Sequence, residues 1–569
     1  MKIKNPLSTF AIFLLLLISI VISSIKFSNT KLIVTTSDAF GYYMYLPSTF
    51  IYKDFKKLEW KDEIDKKYNV FGGNFYHARL RDRGYVNKYY CGVSLLQSPF
   101  FLLAHWITPL TNYPQDGFSF PYQFAILIAS ILYFFIGIVL LSKIINFYFD
   151  DIFGAITLLS IGLATNILQY VSIEAGLSHS YLFFIYSLII YSTYQWHKKP
   201  NKINSAFVGF VIGIAICCRP TEAIAILIPI LWEFDYNEQT KWKYLRDNPS
   251  LLFYALIFGT LALLPQFVYW LHTTGNLIYD VGSKWSFLNP FFRVLFGGEK
   301  GWFVYTPITL IFIFSLFYIR RYKFSKAFIY FTIFNIWIVI SWFDWRYGGS
   351  YSTRALSHSL PVFALPFAAL IKYLKQTYAK LIMYSLLSFL SVTNLFQIYQ
   401  YNKGVIHYDH MNFKYYKSIY WNLNPSCLEF SLLDTKDWHD NYSTIYTLIH
   451  KELKNNNFKP NDNKVLIKID SLNFNKVRNL KNEISTIVNS GIWGASIITT
   501  LSQNNKIFKE QKIRLKHPDS KEKVISCYSY FTDIPSQCNN CTLTIKVEQK
   551  SKIQLSSTLI TVESIRIPN

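Results

Sequence analysis

The chain has 569 residues, of which 51% are hydrophobic and 18% aromatic, and this composition excludes an ordinary soluble globular protein. The formal net charge of +23 is dispersed through short loops between apolar runs, as membrane topology requires, so it does not indicate nucleic-acid binding. Seven cysteines are too few to form a disulfide-rich scaffold in a chain of this length.

The first apolar segment covers residues 7–25 and is about long enough to cross a bilayer at ~1.5 Å per residue. It follows Lys2 and Lys4, so the positive-inside rule places its beginning in the cytoplasm. The residues at its end match a signal-peptide cleavage site poorly, and we expect a retained membrane anchor. Asp38 then emerges on the outer face of the membrane.

Further segments also have the length and composition of membrane crossings, which makes about eleven transmembrane helices in total. The run 206–232 counts as two short crossings because Pro220 ends the helix before it. Residues 94–107 are apolar but interrupted by Pro99, and we expect them to lie in the membrane interface. The predicted crossings are residues 7–25, 123–141, 152–170, 177–194, 206–232 (two), 251–271, 302–319, 327–342, 356–371 and 381–398.

Basic residues are distributed unevenly over the loops between these segments. One set of alternate loops is richer in Lys and Arg, and it falls on the same side as Lys2 and Lys4. The pattern predicts a multi-pass membrane protein with its N-terminus in the cytoplasm and its C-terminal domain on the outer side.

The character of the sequence changes after residue 400. We therefore divide the chain into a membrane domain (1–400) with a large first outer loop (38–93), a connecting region (401–463) and a β-rich domain (464–569). Short stretches of alternating apolar and polar residues predict a small β-sandwich in the last of these. Cys538 and Cys541 have the spacing of half a zinc site, but a disulfide involving Cys527 is favoured if the compartment is oxidising.

Chemically useful side chains collect on the predicted outer face. Asp38 is either the N-cap of a helix that begins at Ala39 or a carboxylate available for proton transfer. Cations on this face are either snorkelling anchors or ligands for a lipid phosphate. Those that we select are Lys88, near Arg79 and Arg81, together with Arg219, Arg293 and Arg354. The aromatic residues that suit a flat sugar ring are Tyr42, Tyr90, Trp345 and Tyr351.

The order of these features resembles a known family. An outward Asp38, a long loop, the turn Lys88-Tyr89-Tyr90 and the run Trp345 to Tyr351 with Arg354 and Pro361 are similar to the GT-C superfamily of polyprenyl-phosphate-dependent glycosyltransferases. The branch most resembled is the protein mannosyltransferase and lipid A aminoarabinose transferase group. The chain departs from that group in having Ala39 where Glu is common and tyrosines where the turn has two prolines, which leaves the acceptor and the subfamily open.

The resemblance implies a multi-pass glycosyltransferase of the bacterial inner (cytoplasmic) membrane, with its C-terminal domain in the periplasm. It would move a sugar from a polyprenyl-phosphate donor to a protein, lipid or polysaccharide acceptor at the outer face. Asp38 would be the catalytic base, and Lys88 would contact the donor phosphate with Arg354, Arg219 and Arg293. Members of the group need no catalytic metal, although the sequence leaves a divalent metal open.

Two other functions remain open. A transporter or lipid-linked glycan flippase would place ionisable residues near mid-bilayer, for which the candidates are Glu174, Arg219 and Glu222. A glycan ligase that uses a diphosphate-linked donor would have a similar architecture.

Overall fold

The computed structural model of this chain divides into two units, Met1–Asn402 and Lys403–Asn569. It describes residues 5–28, 30–236, 239–287, 291–425, 429, 432–433, 443–458, 464–472, 479–490, 496–504, 506–514, 524–531, 534, 540–548 and 553–566.

The first unit is mainly helical. Its helices in chain order are α1 (Pro6–Ser28), α2 (Asp38–Tyr43), α3 (Tyr45–Phe50), α4 (Lys61–Tyr68), α5 (Gly92–Ile107), α6 (Phe120–Tyr148), α7 (Asp151–Leu163), α8 (Ile167–Ser172), α9 (Ser178–Lys198), α10 (Lys202–Cys218), α11 (Leu227–Leu231), α12 (Lys241–Asp247), α13 (Ser250–Leu261), α14 (Leu264–Thr274), α15 (Phe291–Phe296), α16 (Trp302–Tyr305), α17 (Ile308–Ser315), α18 (Ser325–Ser341), α19 (Ala364–Tyr373) and α20 (Thr377–Asn402). Its 3₁₀ segments are Thr108–Leu110, Pro220–Ile226, Leu316–Ile319 and Arg354–Phe363. Two short hairpins pair β1 (Ala78–Arg81) with β2 (Gly84–Asn87) and β3 (Asp235–Tyr236) with β4 (Gln239–Thr240).

Within the described residues, five helices are long and apolar enough to cross a membrane, or six if a bent pair counts as one span. The chain is therefore a multi-pass membrane protein, but the eleven crossings predicted from sequence are not shown. Five further apolar helices have only 10–17 residues and are too short to cross a membrane on length alone. The qualifying helices are Pro6–Ser28, Gly92–Leu110, Phe120–Tyr148, Arg354–Tyr373 and Thr377–Asn402, and the bent pair is Ser250–Leu261 with Leu264–Thr274.

Pro99 does not break the helix that contains it, and the interfacial position expected for this helix stays a prediction. The helix, α5, continues into the 3₁₀ turn and satisfies the length and composition of a span. Proline frees the carbonyl four residues earlier. Here the Ser98 hydroxyl donates to that carbonyl, Leu95 O, at 2.8 Å. The local hydroxyl thus compensates for the lost main-chain bond. By contrast, the break predicted at Pro220 is confirmed, because α10 ends at Cys218 and a 3₁₀ segment begins at Pro220.

Small residues allow α10 and α13 to approach closely. A Cβ built on Gly209 would lie 2.0 Å from the Ala255 carbonyl oxygen, and one built on Gly213 would lie 2.3 Å from Gly259 O. Such small-residue contacts are a common basis for helix association in membranes, where hydrophobic burial gives little drive. This packing fixes the end of α10 and hence Arg219, which follows it.

The first outer loop has a core of its own. Phe40 is fully buried and packs against the rings of Trp60, Phe71 and Phe118 at centroid distances of 5.3–6.1 Å. Aromatic burial of this kind supplies much of the stabilisation of a small core. The loop therefore provides a fixed scaffold for Asp38, which lies two residues before Phe40.

The second unit contains α21 (Phe413–Ser418) and two antiparallel four-stranded sheets. Both sheets contribute side chains to one hydrophobic cluster, for example Ile484 and Ile560 from one and Leu501 and Ile545 from the other. The predicted β-sandwich is confirmed, although its first strand begins at Ser443, before the expected boundary. The strands are β5 (Ser443–Phe458), β6 (Lys464–Leu472), β7 (Leu480–Ser490), β8 (Ser496–Gln503), β9 (Lys506–Arg514), β10 (Val524–Phe531), β11 (Cys541–Glu548) and β12 (Ile553–Arg566), in the orders β10-β7-β12-β5 and β6-β11-β8-β9.

Cys541 is disulfide-bonded and is therefore not a zinc ligand. Cys538 and the side chain of Cys527, which the sequence also singled out, lie outside the described residues. A disulfide is typical of an oxidising compartment. This bond is consistent with the location on the outer side that the loop charges predict.

Cysteine labelling tests the predicted topology. Lys375, between α19 and α20, and Lys468, in β6, are both exposed. Because the loop charges place them on opposite sides of the membrane, we expect an impermeant maleimide to label Lys468→Cys in spheroplasts. It should label Lys375→Cys only after permeabilisation. Equal labelling of both variants in intact spheroplasts, above the wild-type background, would contradict the topology.

Candidate active site

Asp38 is held by side chains at the start of α2. Its Oδ2 accepts a hydrogen bond from the Arg354 guanidinium, and its Oδ1 accepts from the hydroxyls of Tyr89, at 2.5 Å, and Tyr76, at 2.9 Å. The N-cap of α2 is Ser37, so Asp38 is the first helical residue and not the cap. The carboxylate is thus engaged by an ion pair and two phenols, which does not fit the N-cap interpretation.

The chain entering α2 is fixed by the first outer loop. Ser37 adopts a positive φ of 52°, and its amide donates to Val70 O at 2.9 Å. His77 Nε2 lies 2.7 Å from the Ser37 carbonyl oxygen. Burial lowers the pKa of His77 to about 4. The ring is therefore neutral at neutral pH and donates from Nε2 to that carbonyl, which sets the direction in which Asp38 leaves the backbone.

Gly41 allows Tyr89 to reach Asp38. A Cβ built on Gly41 would lie 2.1 Å from the Tyr89 ring, so any larger residue there would displace the phenol. Asn87 joins the two segments, because its Nδ2 donates to Gly41 O at 2.7 Å and its Oδ1 accepts from the Tyr89 amide at 3.0 Å. The turn that contains Lys88 is thereby packed directly against α2.

Arg354 begins a buried 3₁₀ segment after a tight loop. Tyr347, Gly348 and Ser352 in that loop all have positive φ. The Lys300 ammonium donates to the carbonyls of Gly348 and Arg346, and the Thr353 hydroxyl donates to Lys300 O at 2.9 Å. These bonds hold the loop in its strained conformation. They place Arg354, 316 residues from Asp38 in sequence, in contact with that carboxylate.

The pKa of Asp38 is lowered despite burial. Burial acts to raise this pKa, but the positive charge of Arg354 and the hydrogen bonds from Tyr89, Tyr76 and Arg354 outweigh it. Asp38 is therefore ionised throughout the neutral range. An ion-paired carboxylate of low pKa is a weak base, so proton transfer to Asp38 requires that Arg354 first be drawn away.

A second buried network lies behind Arg354. Glu222 Oε1 is 3.2 Å from His358 Nε2, and its Oε2 accepts from the Tyr186 hydroxyl at 2.5 Å. His358 in turn lies 3.3 Å from His179, between their Nδ1 atoms. His358 follows Arg354 in the same 3₁₀ segment, and Glu222 follows Arg219 in another. The Glu222–His358 contact therefore joins the segments that carry the two arginines.

Glu174 is a carboxylate at this site that sequence reasoning did not assign to it. It lies within electrostatic range of Arg354 and Asp38, and its Oε1 accepts from Gln169 Nε2 at 3.0 Å. Burial raises the pKa of Glu174. Gly176 brings this loop against the Asp38 loop, since a Cβ there would lie 2.3 Å from Val34 O. In the sequence, Gly176 is the feature near Glu174 that is compatible with such a close approach of two backbone segments.

Three of the other selected residues lie close to Asp38. The Tyr42 ring is 4.8 Å from that of Tyr89, and Arg219 lies within electrostatic range of Tyr42 and Arg354. Lys88 Nζ is 5.7 Å from the Tyr76 ring centroid. Burial and the neighbouring Arg79 lower the pKa of Lys88. The structure thus brings two carboxylates, Asp38 and Glu174, close to three of the four predicted phosphate ligands. These three are Lys88, Arg219 and Arg354.

The remaining selected residues are not in this group. Arg293 is exposed on α15, and no described contact joins its side chain to Asp38 or Arg354. Trp345 lies under the Arg346 guanidinium at 4.6 Å, and Tyr90 packs edge-on against Trp270 at 5.1 Å.

Tyr351 does not fit its predicted role in sugar binding. It is fully buried, its hydroxyl donates to Gln397 Oε1 at 3.0 Å, and its carbonyl accepts from the Tyr170 hydroxyl at 2.7 Å. The Tyr351 ring, predicted from the sequence to be a surface for sugar binding, is packed inside the helical unit. No group of three His, Cys, Asp or Glu residues that could hold a metal ion occurs among the described residues.

No family model and no curated protein match the sequence. The chain is similar to the solved structure of the oligosaccharyltransferase AglB from Archaeoglobus fulgidus, with 11% identity and a TM-score of 0.38 over 72% of this chain and 57% of AglB. It is similar to ArnT from Cupriavidus metallidurans, with 12% identity and a TM-score of 0.40 over 72% and 69%. It is also similar to the arabinosyltransferase EmbB from Mycobacterium smegmatis, with 9% identity and a TM-score of 0.36 over 100% and 65%. The chain spans little more than half the length of AglB.

The Asp38–Arg354 pair predicts a specific pH dependence of stability. Because the folded-state pKa of Asp38 lies below its ordinary value of 3.8, its contribution is complete above that value and is lost as the pH falls through the folded-state pKa. We expect Asp38→Asn, which leaves Arg354 without its counter-charge, to cost ~1–3 kcal/mol at pH 7, the usual cost of a buried group that loses its partner.

Thermal melting of both proteins in detergent between pH 3 and pH 8 measures this effect. The difference in melting temperature should be constant from pH 5 to pH 8 and shrink below pH 4. A difference that is absent at pH 7, or that grows on acidification, would show that the pair does not stabilise the fold.

Proposed function

We propose that this protein is a membrane glycosyltransferase that moves one sugar from a polyprenyl-phosphate donor to an acceptor on the outer face. The observation that carries the proposal is the carboxylate of Asp38, placed just beyond α1 and ion-paired with Arg354. Arg219 and Lys88 add two cations at the same place. A carboxylate beside several cations suits a reaction that releases a phosphate and takes up a proton.

The cations and the carboxylate have different tasks in the proposed reaction. The bond between the anomeric carbon and the phosphate oxygen breaks, and the electron pair leaves with the phosphate, whose charge the cations neutralise. The acceptor oxygen or nitrogen forms the new bond to that carbon, and its proton passes to Asp38. Arginine is suited to the first task because its planar guanidinium can hold two phosphate oxygens at once.

Arg354 couples these two tasks. In the structure Arg354 pairs with Asp38 and keeps the pKa of that carboxyl low. A donor phosphate is a competing anion for the same guanidinium. When Arg354 turns to the phosphate, Asp38 loses its nearest positive charge and becomes a stronger base. Donor binding thereby activates the base only when the leaving group is in place.

We further propose that the shorter apolar helices and α9 also cross the membrane while α5 lies in the interface, which gives the eleven crossings expected from sequence. Closely packed helices such as α10 and α13 can be shorter than an isolated span because neighbouring protein covers their ends. The resulting topology puts the N-terminus in the cytoplasm and the C-terminal domain in the periplasm of a bacterial cell. The protein mannosyltransferase and aminoarabinose transferase group remains the branch that its motifs resemble.

The transport alternative is less well supported. It requires ionisable groups that are available to a cargo within the membrane. Glu222 already pairs with His358 and accepts hydrogen bonds from Tyr186 and Thr221, so both of its oxygens are engaged. The diphosphate-linked ligase alternative differs only in the donor, and a comparison of monophosphate and diphosphate donors separates the two.

Substitution of Asp38 tests the proposed base. Asp38→Asn retains the side-chain shape but removes the proton acceptor, so we expect sugar transfer to fall by at least ~10²-fold. The measurement is transfer from synthetic polyprenyl-phosphate sugars by purified protein, with melting curves recorded in parallel. The matched control is Asp54→Asn in the same outer loop, where the carboxylate only accepts from backbone amides of residues 56, 57 and 59. Full activity of Asp38→Asn would remove this residue from the mechanism.

Arg354 tests the phosphate contact. Arg354→Lys retains the charge but loses the two-pronged geometry, so we expect it to restore only part of the activity that Arg354→Ala loses. The alanine variant should weaken donor use by ~1.5–3 kcal/mol, the value of a charge-assisted hydrogen bond. Donor KM and kcat report this effect. Unchanged values for the alanine variant at wild-type expression would assign Arg354 a purely structural role.

A further inference from the structure

The hairpin β1–β2 of the first outer loop carries an unusual set of cations. Arg79, Arg81, Arg83 and Lys88 lie within ten residues, with Asp82 as the single acid. The three arginine side chains are exposed, and Lys88 is half-buried. The chain has 44 lysines and 13 arginines, so three arginines in five residues are a marked local departure. General positive charge, or snorkelling at a membrane surface, would be served equally well by lysine.

The segment that joins α14 to α15 holds these arginines in place. Arg81 Nε donates to the Tyr279 hydroxyl at 2.7 Å. Gly275 and Gly282 both have a φ of +80°, and a Cβ on either would lie 2.2 Å from Nη1 of Arg83 and Arg79, respectively. Each glycine thus leaves space for one guanidinium. The backbone at Gly275 and Gly282 and the Tyr279 phenol thus position the three side chains, and all three arginine residues remain exposed.

Among the described residues, no acidic side chain pairs closely with these cations, and Asp38 acts on Lys88 only over a longer distance. Across the ranges that the structure describes, none of the three arginines or Lys88 forms an ion pair within 4.0 Å. The nearby Asp280 is occupied with the Gly282 amide, which donates to its Oδ1 at 2.7 Å. Ordered and uncompensated guanidiniums pay little entropy on binding an anion, which favours a bidentate phosphate contact.

The hairpin leads toward Asp38. Lys88 follows β2 and lies over the ring of Tyr76, whose hydroxyl donates to Asp38 Oδ1. Arg79 is close enough to Lys88 to lower the pKa of Lys88. A row of positive charge therefore runs from the exposed hairpin through Lys88 to Tyr76, which binds the Asp38 oxygen that Arg354 does not.

We propose that this hairpin is a binding site for an acceptor that carries phosphate groups, and this inference rests on the proposed glycosyltransferase function. Arg79, Arg81 and Arg83 hold phosphate groups of the acceptor outside the reaction centre. The acceptor's nucleophilic group then reaches Asp38 along the Lys88 side. The ligand chemistry is a polyanion with several phosphates, distinct from the single donor phosphate at Arg354.

Binding of inorganic polyphosphate tests the site without catalysis. The full chain is placed in phosphatidylcholine nanodiscs, and affinity for fluorescent polyphosphate is measured against neutral dextran as the negative probe. The triple variant Arg79→Gln/Arg81→Gln/Arg83→Gln should bind polyphosphate at least tenfold more weakly than wild type. The matched control removes three exposed charges from the same loop, Lys53→Gln/Lys57→Gln/Lys66→Gln, and should stay within about twofold.

Three results would overturn the proposal. The triple arginine variant could bind as well as wild type, or the lysine control could lose as much affinity, which would mean that only net charge matters. Alternatively, wild type could ignore polyphosphate while its melting temperature rises in nanodiscs with 30% phosphatidylglycerol only when the arginines are present. That outcome would identify them as contacts to lipid headgroups.

The same preparations separate this inference from the proposed function. Asp38→Asn should bind polyphosphate as wild type does, because the hairpin is intact. Polyphosphate binding without any donor turnover by wild type would leave the anion site standing and remove the transferase function. Donor turnover without polyphosphate binding would support the transferase function and rule out the proposed anion site.

Discussion

The ion pair between Asp38 and Arg354 is the interaction on which the rest of this site depends. Removing two charges from water is costly unless their remaining hydrogen-bonding capacity is satisfied. Here the second carboxylate oxygen takes the hydroxyls of Tyr76 and Tyr89, so the burial is compensated. The pair also ties the first outer loop to a 3₁₀ segment more than three hundred residues later. The pair therefore links two distant parts of the chain, and in the proposed mechanism the donor phosphate competes with Asp38 for Arg354.

Close backbone approaches at two glycines and the contact between Glu222 and His358 support the link between the outer loop and the Arg354 segment. Gly41 leaves space for Tyr89, and Gly176 brings the Glu174 loop against the strand of chain that precedes Asp38. Behind Arg354, the contact between Glu222 and His358 joins the two segments that present arginines to the site. The consequence is a cluster in which the segments that carry the charged side chains are fixed by packing and hydrogen bonds.

Local pattern identified a large part of this arrangement. Hydropathy located the helices, alternation located the sandwich, and position beyond the first span identified Asp38. His358 was missed because its partners Glu222 and His179 are distant in sequence and no short motif marks it. Glu174 was named only as a transport candidate, because its sequence context does not reveal its proximity to Arg354 and Asp38. Tyr351 was misassigned for the opposite reason, since an aromatic residue in a motif does not reveal whether it faces a ligand or the core. The number of crossings is also beyond local pattern, because helix packing decides how short a span can be.

The central claim is that donor phosphate draws Arg354 away from Asp38 and so raises the pKa of that carboxyl. Isotope-edited infrared spectroscopy measures this directly, by titrating the carboxylate band that is present in wild type and absent in Asp38→Asn. The account predicts that polyprenyl phosphate raises the pKa of Asp38, whereas the phosphate-free polyprenol leaves it unchanged. An unchanged pKa with saturating polyprenyl phosphate would contradict the account, because Arg354 would then still be paired with Asp38.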